Sequence, residues 1–108
     1  MSETPRIEPR RKGRSGTQSM LLPTQRMVAD KLKAAPPGKI SDLGGLRKQL
    51  AAEFGADACC PVTVQRHMVA IAEEEIAPYW RVVDPDRPFA RRLAGGPDAI
   101  RRHLKAEG

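Results

Sequence analysis

The only tyrosine and the only tryptophan of this chain are neighbours, Tyr79 and Trp80, within a stretch from Pro78 to Val83 that reads PYWRVV. Two rings in a row at a proline-marked bend serve either as a corner of the core or as a floor on which a flat molecule stacks. A second chemical set is Thr63, Gln65, Arg66 and His67: a hydroxyl, an amide, a cation and an imidazole. Near a helix start, such groups reach base edges and phosphates. The cysteines offer less. Cys59 and Cys60 are adjacent, and vicinal cysteines bridge only through a strained ring, so no disulfide framework is expected. His67 and His103 do not complete a zinc-ligand spacing, and neither a metal nor any other cofactor is expected.

A chain of 108 residues with 40% apolar residues is one small domain with little surplus core. Only Phe54, Tyr79, Trp80 and Phe89 are aromatic, so aliphatic side chains must carry the packing. The net charge of +6 favours a polyanionic partner, and half of it sits in residues 1–19, on Arg6, Arg10, Arg11, Lys12 and Arg14 against Glu3 and Glu8. The sequence contains neither an apolar run of about 18 residues nor a signal-peptide h-region, so a cytoplasmic protein away from membranes is expected.

The elements that must position these groups follow in order. Residues 1–20 are almost free of large apolar side chains and read as a disordered basic arm, either solvated or tracking phosphates. A first helix starts after Pro23 and Thr24, uses Met27, Val28, Leu32 and Ala35, and stops at Pro36, Pro37 and Gly38. Ser41 or Asp42 caps a second, with Leu43, Leu46, Leu50 and Phe54 as its buried stripe and Gly55 at its end. After a short turn, Pro61 opens a third helix running to about Glu75, its inner face Val64, Met68, Ile71 or Ala72, and Ile76. Glu73, Glu74 and Glu75 read as a solvated face pointing away from phosphate. Tyr79 to Leu93, turning at Asp84 to Asp86, reads as a short wing or extended loop. Gly95, Gly96 and Pro97 precede a last helix over Asp98 to Ala106, with Ile100 and Leu104 inward and Arg101, Arg102 and Lys105 outward. The fold class expected is mainly α: a winged helix-turn-helix-like domain over residues 21–108 behind the arm.

From about Pro23 to Gly108, roughly four-fifths of the chain, this order of features resembles the C-terminal DNA-binding domain of the methylguanine-DNA alkyltransferases and their alkyltransferase-like relatives. QRMVADKLKAAPPGKISDL is similar to the family's opening helix and Pro-Gly exit. PYWRVV is similar to its active-site PCHRVV, and LAGGPDAIRRHLKAEG to its glycine-containing loop and closing helix ending in Glu-Gly. The resemblance is closest to a divergent branch with CPVT-type third helices. It implies a winged helix-turn-helix that enters the minor groove and flips a damaged guanine out of the stack. In true alkyltransferases a cysteine then takes the alkyl group, its thiolate supported by a histidine that a glutamate holds.

On this resemblance the cysteine position is Tyr79, the histidine position is Trp80 and the glutamate position is Glu107. A phenol with a pKa of about 10 and an indole that accepts no proton cannot replace that relay, so no catalytic residue and no enzyme activity are expected. The family's arginine finger falls at Val62 or Thr63, and its nucleotide-turning tyrosine at Asp42 or Leu43. Those departures take away two side chains that the family uses in base flipping and leave non-catalytic DNA binding, which asks for cations and helix N-termini. The lesion pocket would comprise Pro78, Tyr79, Trp80, Arg81, Gly95 and Gly96. DNA contacts would come from Thr63, Gln65, Arg66 and His67 and from Arg10, Arg11, Lys12 and Arg14.

The function expected is a monomeric, alkyltransferase-like protein of DNA repair that recognises double-stranded DNA, alkylated or otherwise damaged, alongside an unidentified repair partner. One alternative is a winged-helix regulator or nucleoid-associated protein without lesion preference. Another is a divergent alkyltransferase using Cys60, which precedes a helix N-terminus.

Overall fold

The computed structural model describes residues 4–12 and 16–108. The chain opens with an antiparallel hairpin, β1 (Arg6–Lys12) and β2 (Gly16–Leu22), registered from Arg6 opposite Leu22 to Lys12 opposite Gly16. A two-residue strand, β3 (Ala58–Cys59), pairs with β2 in parallel, Met20 opposite Ala58 and Leu21 opposite Cys59, giving the sheet order β1-β2-β3. Ser19 and Asp57 fasten the entry to β3 reciprocally: the Ser19 N–H donates to Asp57 Oδ2 at 2.8 Å, and the Asp57 N–H to Ser19 Oγ at 2.9 Å. Leu21 is fully buried.

Over Arg6–Lys12 and residues 16–20 this sheet replaces the disordered arm expected across residues 1–20, of which positions 1–3 and 13–15 lie outside the described residues, and it changes the mainly α class. The protein is a mixed α/β fold in which four helices accompany a small sheet. The hairpin gains its order from a partner 38 residues further on, which no local count of apolar side chains registers.

The helices begin where local chemistry allows. Thr24 caps α1 (Gln25–Ala34), its hydroxyl accepting the Met27 N–H at 3.2 Å. Asp42 caps α2 (Leu43–Glu53) by accepting the Gly44 N–H at 3.0 Å. Pro61 is the first residue of α3 (Pro61–Glu74), where its missing N–H costs nothing, and α3 ends at Glu75 in the left-handed region, φ 53°. Gly95, φ 82°, leads into α4 (Gly96–Glu107); a Cβ there would lie 2.6 Å from that of Ala99.

Helix α1 packs on α3, α2 on β3, and α4 on two 3-10 segments, Tyr79–Val82 and Pro88–Arg92. The fully buried centre is Leu21, Val28, Leu32, Leu50, Val64, Met68, Ile71 and Ile100. Phe54 and Ile76, expected on buried stripes, are 43% and 38% exposed, each just past the last turn of its helix. The wing expected between Tyr79 and Leu93 is absent: the 3-10 segments occupy that stretch, joined by a turn in which Asp84 Oδ1 accepts the Asp86 N–H at 2.9 Å. Pro85 and Pro88 remove the N–H donors a ribbon would need. The link from α2 to α3 holds β3, so it is a strand-bearing connection where a short turn was expected. Among the described residues no helix is long and apolar enough to cross a membrane.

Candidate functional site

The PYWRVV stretch enters the first 3-10 segment, which α4 and α1 hold from two sides. Its aromatic pair faces a cleft of about 610 Å³ between the C-terminal end of α3, the loop before α4 and the first turns of α4. A cleft of that size is within the roughly 300–1,000 Å³ range of small-molecule sites.

Tyr79 is 3% exposed, so it is both a core residue and a wall of the cleft. Its hydroxyl donates to the Ala94 carbonyl at 3.3 Å. Burial pushes the phenol pKa up, Glu75 adds to the rise and Arg102 opposes it, so the group stays protonated at neutral pH and acts as a hydrogen-bond donor. Trp80 stands edge-on to Tyr79, ring centroids 5.3 Å apart, and its indole lies flat on His103 at 3.8 Å with 9° between the planes.

Glu107, in the last turn of α4, fixes this arrangement from behind. Its Oε1 accepts the indole N–H of Trp80 at 2.8 Å and the backbone N–H of Gly38 at 3.1 Å; its Oε2 accepts Nε of Arg81 at 3.0 Å and Nη2 at 2.5 Å. The Arg81 hydrogen bond is the chief reason that the carboxyl pKa falls to about 2, with Gly38 and Trp80 adding to the effect against partial burial. Arg81 also donates through Nη1 to the carbonyls of Ala35 at 3.1 Å and Lys33 at 3.4 Å, covering the C-terminal end of α1. An acid held ionised to about pH 2 is a poor proton acceptor at neutral pH. Glu107 therefore positions Trp80 without supplying a base.

Of the six residues expected around the pocket, Pro78, Tyr79, Trp80 and Gly95 line the cleft, whereas Arg81 and Gly96 do not. Arg81 turns away to Glu107, and Gly96 has begun α4. Residues not anticipated there are Arg102 and His103 on one side and Glu73, Glu75 and Ile76 on the other. The glutamate run is solvent-exposed as expected, but two of its members border the cleft. A helical reading already carried the His103 signal: Ile100, His103, Leu104 and Glu107 recur at three- and four-residue spacing along one face.

The expected DNA-contact residues divide. Arg66 is exposed on α3, while Thr63 and Gln65 are half-buried. His67 is committed to the fold, its Nε2 lying 2.8 Å from the Pro23 carbonyl; an oxygen there can only accept, so that nitrogen carries a proton. Arg10 is exposed on β1, its Nη2 3.2 Å from Glu8. Arg11 and Lys12 belong to β1, but their side chains, and Arg14 entirely, lie outside the described residues.

Cys59 and Cys60 are both buried, at 4% and 5% exposure. Burial pushes the Cys59 thiol up to about 11, outweighing the pull of Arg47. Burial also raises Cys60, but the Thr63 hydroxyl and the N–H groups at the start of α3 more than offset it, and the net shift is downward. Aromatic and imidazole side chains thus border the cleft, with one face of Trp80 already covered by His103. In three comparisons, with protein-family models, with curated proteins and with solved structures, no match to this chain was found.

Proposed function

We propose that this protein is a non-catalytic, alkyltransferase-like DNA-binding protein that receives a damaged or alkylated base in the cleft beside Tyr79 and Trp80. One observation carries the reading: a cleft of about 610 Å³ lies at the motif that resembles the alkyltransferase active site, with rings where that family has its nucleophile and base. Aromatic surfaces favour an unstacked base at about 1–3 kcal/mol each. The protonated phenol of Tyr79, the non-basic indole of Trp80 and the strongly acidic Glu107 all speak against alkyl transfer there. The buried position of Cys60 speaks against its serving as the nucleophile instead.

A second reading, a DNA-binding regulator or nucleoid-associated protein without lesion preference, draws support from the exposed Arg66 on the polar half of α3. A duplex with one O6-methylguanine and its unmodified twin, titrated at the same stated salt, separate the two. Tighter binding of the modified duplex is expected, with the preference reduced in Trp80→Phe and His103→Ala. Equal affinity removes the lesion reading and leaves the second; no binding to either duplex removes both.

A further inference from the structure

Among the described residues, four arginines are already neutralised by a carboxylate. Arg6 and Arg10 lie beside Glu8, Arg81 is held by Glu107, and Arg101 by Asp86 and Asp98. Arg92 is held differently. Its guanidinium carbon sits 5.5 Å from the ring centroid of Phe89, and its Nη1 donates to the Gln65 side-chain oxygen at 3.4 Å. Phe89 is packed against the core, and Gln65 lies in the second turn of α3. Both partners are neutral, and among the described residues no carboxylate lies within ion-pairing distance of Arg92.

Two neutral contacts therefore aim a full, solvent-exposed charge beside the polar half of α3. An arginine whose fork is oriented before binding loses less freedom when it meets an anion, and a guanidinium can grip a phosphate through two parallel N–H bonds. Arg91, exposed on the same 3-10 segment, and Arg66, exposed on α3, leave the surroundings positive. The N-terminal half of α3 carries Thr63, Gln65 and Arg66, of which Gln65 touches Arg92, so the anion that fits is the phosphate backbone bordering whatever groove α3 meets.

We infer that Arg92, on the second 3-10 segment, is a phosphate-contacting residue that orients α3 on a DNA duplex. This role rests on the duplex-binding reading above and adds to it a contact outside α3 and the hairpin. It places one guanidinium on the sugar-phosphate chain, so it contributes affinity and orientation without reading sequence.

The test uses the full chain and an unmodified 20-base-pair duplex, with the association constant measured across a range of salt. Arg92→Ala is expected to lower the slope of log K against log salt by about 0.9, the loss of one phosphate contact. Arg92→Lys, which keeps the charge, is expected to retain the slope while binding more weakly at low salt. Arg101→Ala, whose charge is already paired, is expected to leave the slope as in the wild type. Arg92 and Arg101 are both exposed and the ion pairs of Arg101 lie at the surface, so all three variants are expected to melt like the parent protein. A parental slope in Arg92→Ala, with the wild type binding normally, overturns the role of Arg92 and spares duplex binding. Failure of the wild type to bind overturns both.

Discussion

Trp80 donates its indole N–H to Glu107 at 2.8 Å, across 27 residues of chain, and the same carboxylate grips Arg81. This contact restrains the aromatic wall, because the indole can neither rotate nor retract without leaving its own N–H without the charged acceptor that holds it.

Acid should therefore loosen this corner in a defined window. Glu107 has its pKa depressed from 4.5 to about 2, chiefly by Arg81, so above about pH 4.5 both folded and unfolded chains hold it ionised and its full contribution is present. As pH falls from about 4.5 towards 2, the unfolded chain binds the proton that the folded protein refuses, and stability drains away. Thermal melts from pH 7 to pH 2 should show a steeper decline in wild type than in Glu107→Gln across that window. At pH 7 the variant should be less stable by roughly 1.5–3 kcal/mol, the usual loss when a hydrogen bond to a charged group goes.

Leu21 separates an ordered hairpin from a solvated arm. A side chain with no exposed surface on β2 should cost about 2–5 kcal/mol when cut to alanine. Denaturant titration of Leu21→Ala measures this directly, and a value near zero would return residues 16–22 to an arm.

The two cysteines should differ in reactivity although they adjoin. Both are buried, so alkylation of the native protein at neutral pH should be slow, with Cys60, its thiol pKa lowered, modified ahead of Cys59, whose thiol is held up to about 11. Peptide mass mapping after timed iodoacetamide exposure reads the order. Modification of Cys59 first would contradict it.

Gly95 should be intolerant of any side chain. Its φ of 82° disfavours an L-residue, and a Cβ would collide with Ala99 inside α4. Gly95→Ala is expected to lose about 1–3 kcal/mol, and because the residue lines the cleft, any base-binding preference should fall with it. Chemical denaturation and the paired-duplex titration report the two effects.

The parts of the fold legible in the sequence are those decided by neighbours. Thr24, Asp42, Pro61 and Gly95 each act on N–H groups or dihedrals within a few residues, and each stands at the helix start that its chemistry dictates. What was illegible depends on distant pairing. The hairpin is polar along most of its length and is anchored by Leu21 against Cys59 and by Ser19 against Asp57, links that no local window contains. Valines and aromatics near Asp84 to Asp86 suggest a wing or extended loop, whereas the two prolines and the Asp84 turn decide for 3-10 segments. At the cleft, rarity marks Tyr79 and Trp80 in the sequence, whereas the part played by His103 is a stack on the distant Trp80 that no local window contains.

Glu107 also ties the cleft wall to the last helix. The carboxylate that immobilises Trp80 is synthesised 27 residues after it and bonds back to Gly38 across 69 residues. The sheet and the first three helices draw on residues up to Glu74, but Leu93 and Ile100 complete the core that they share. Core and cleft wall thus both depend on the last helix, and neither is complete before α4 is in place.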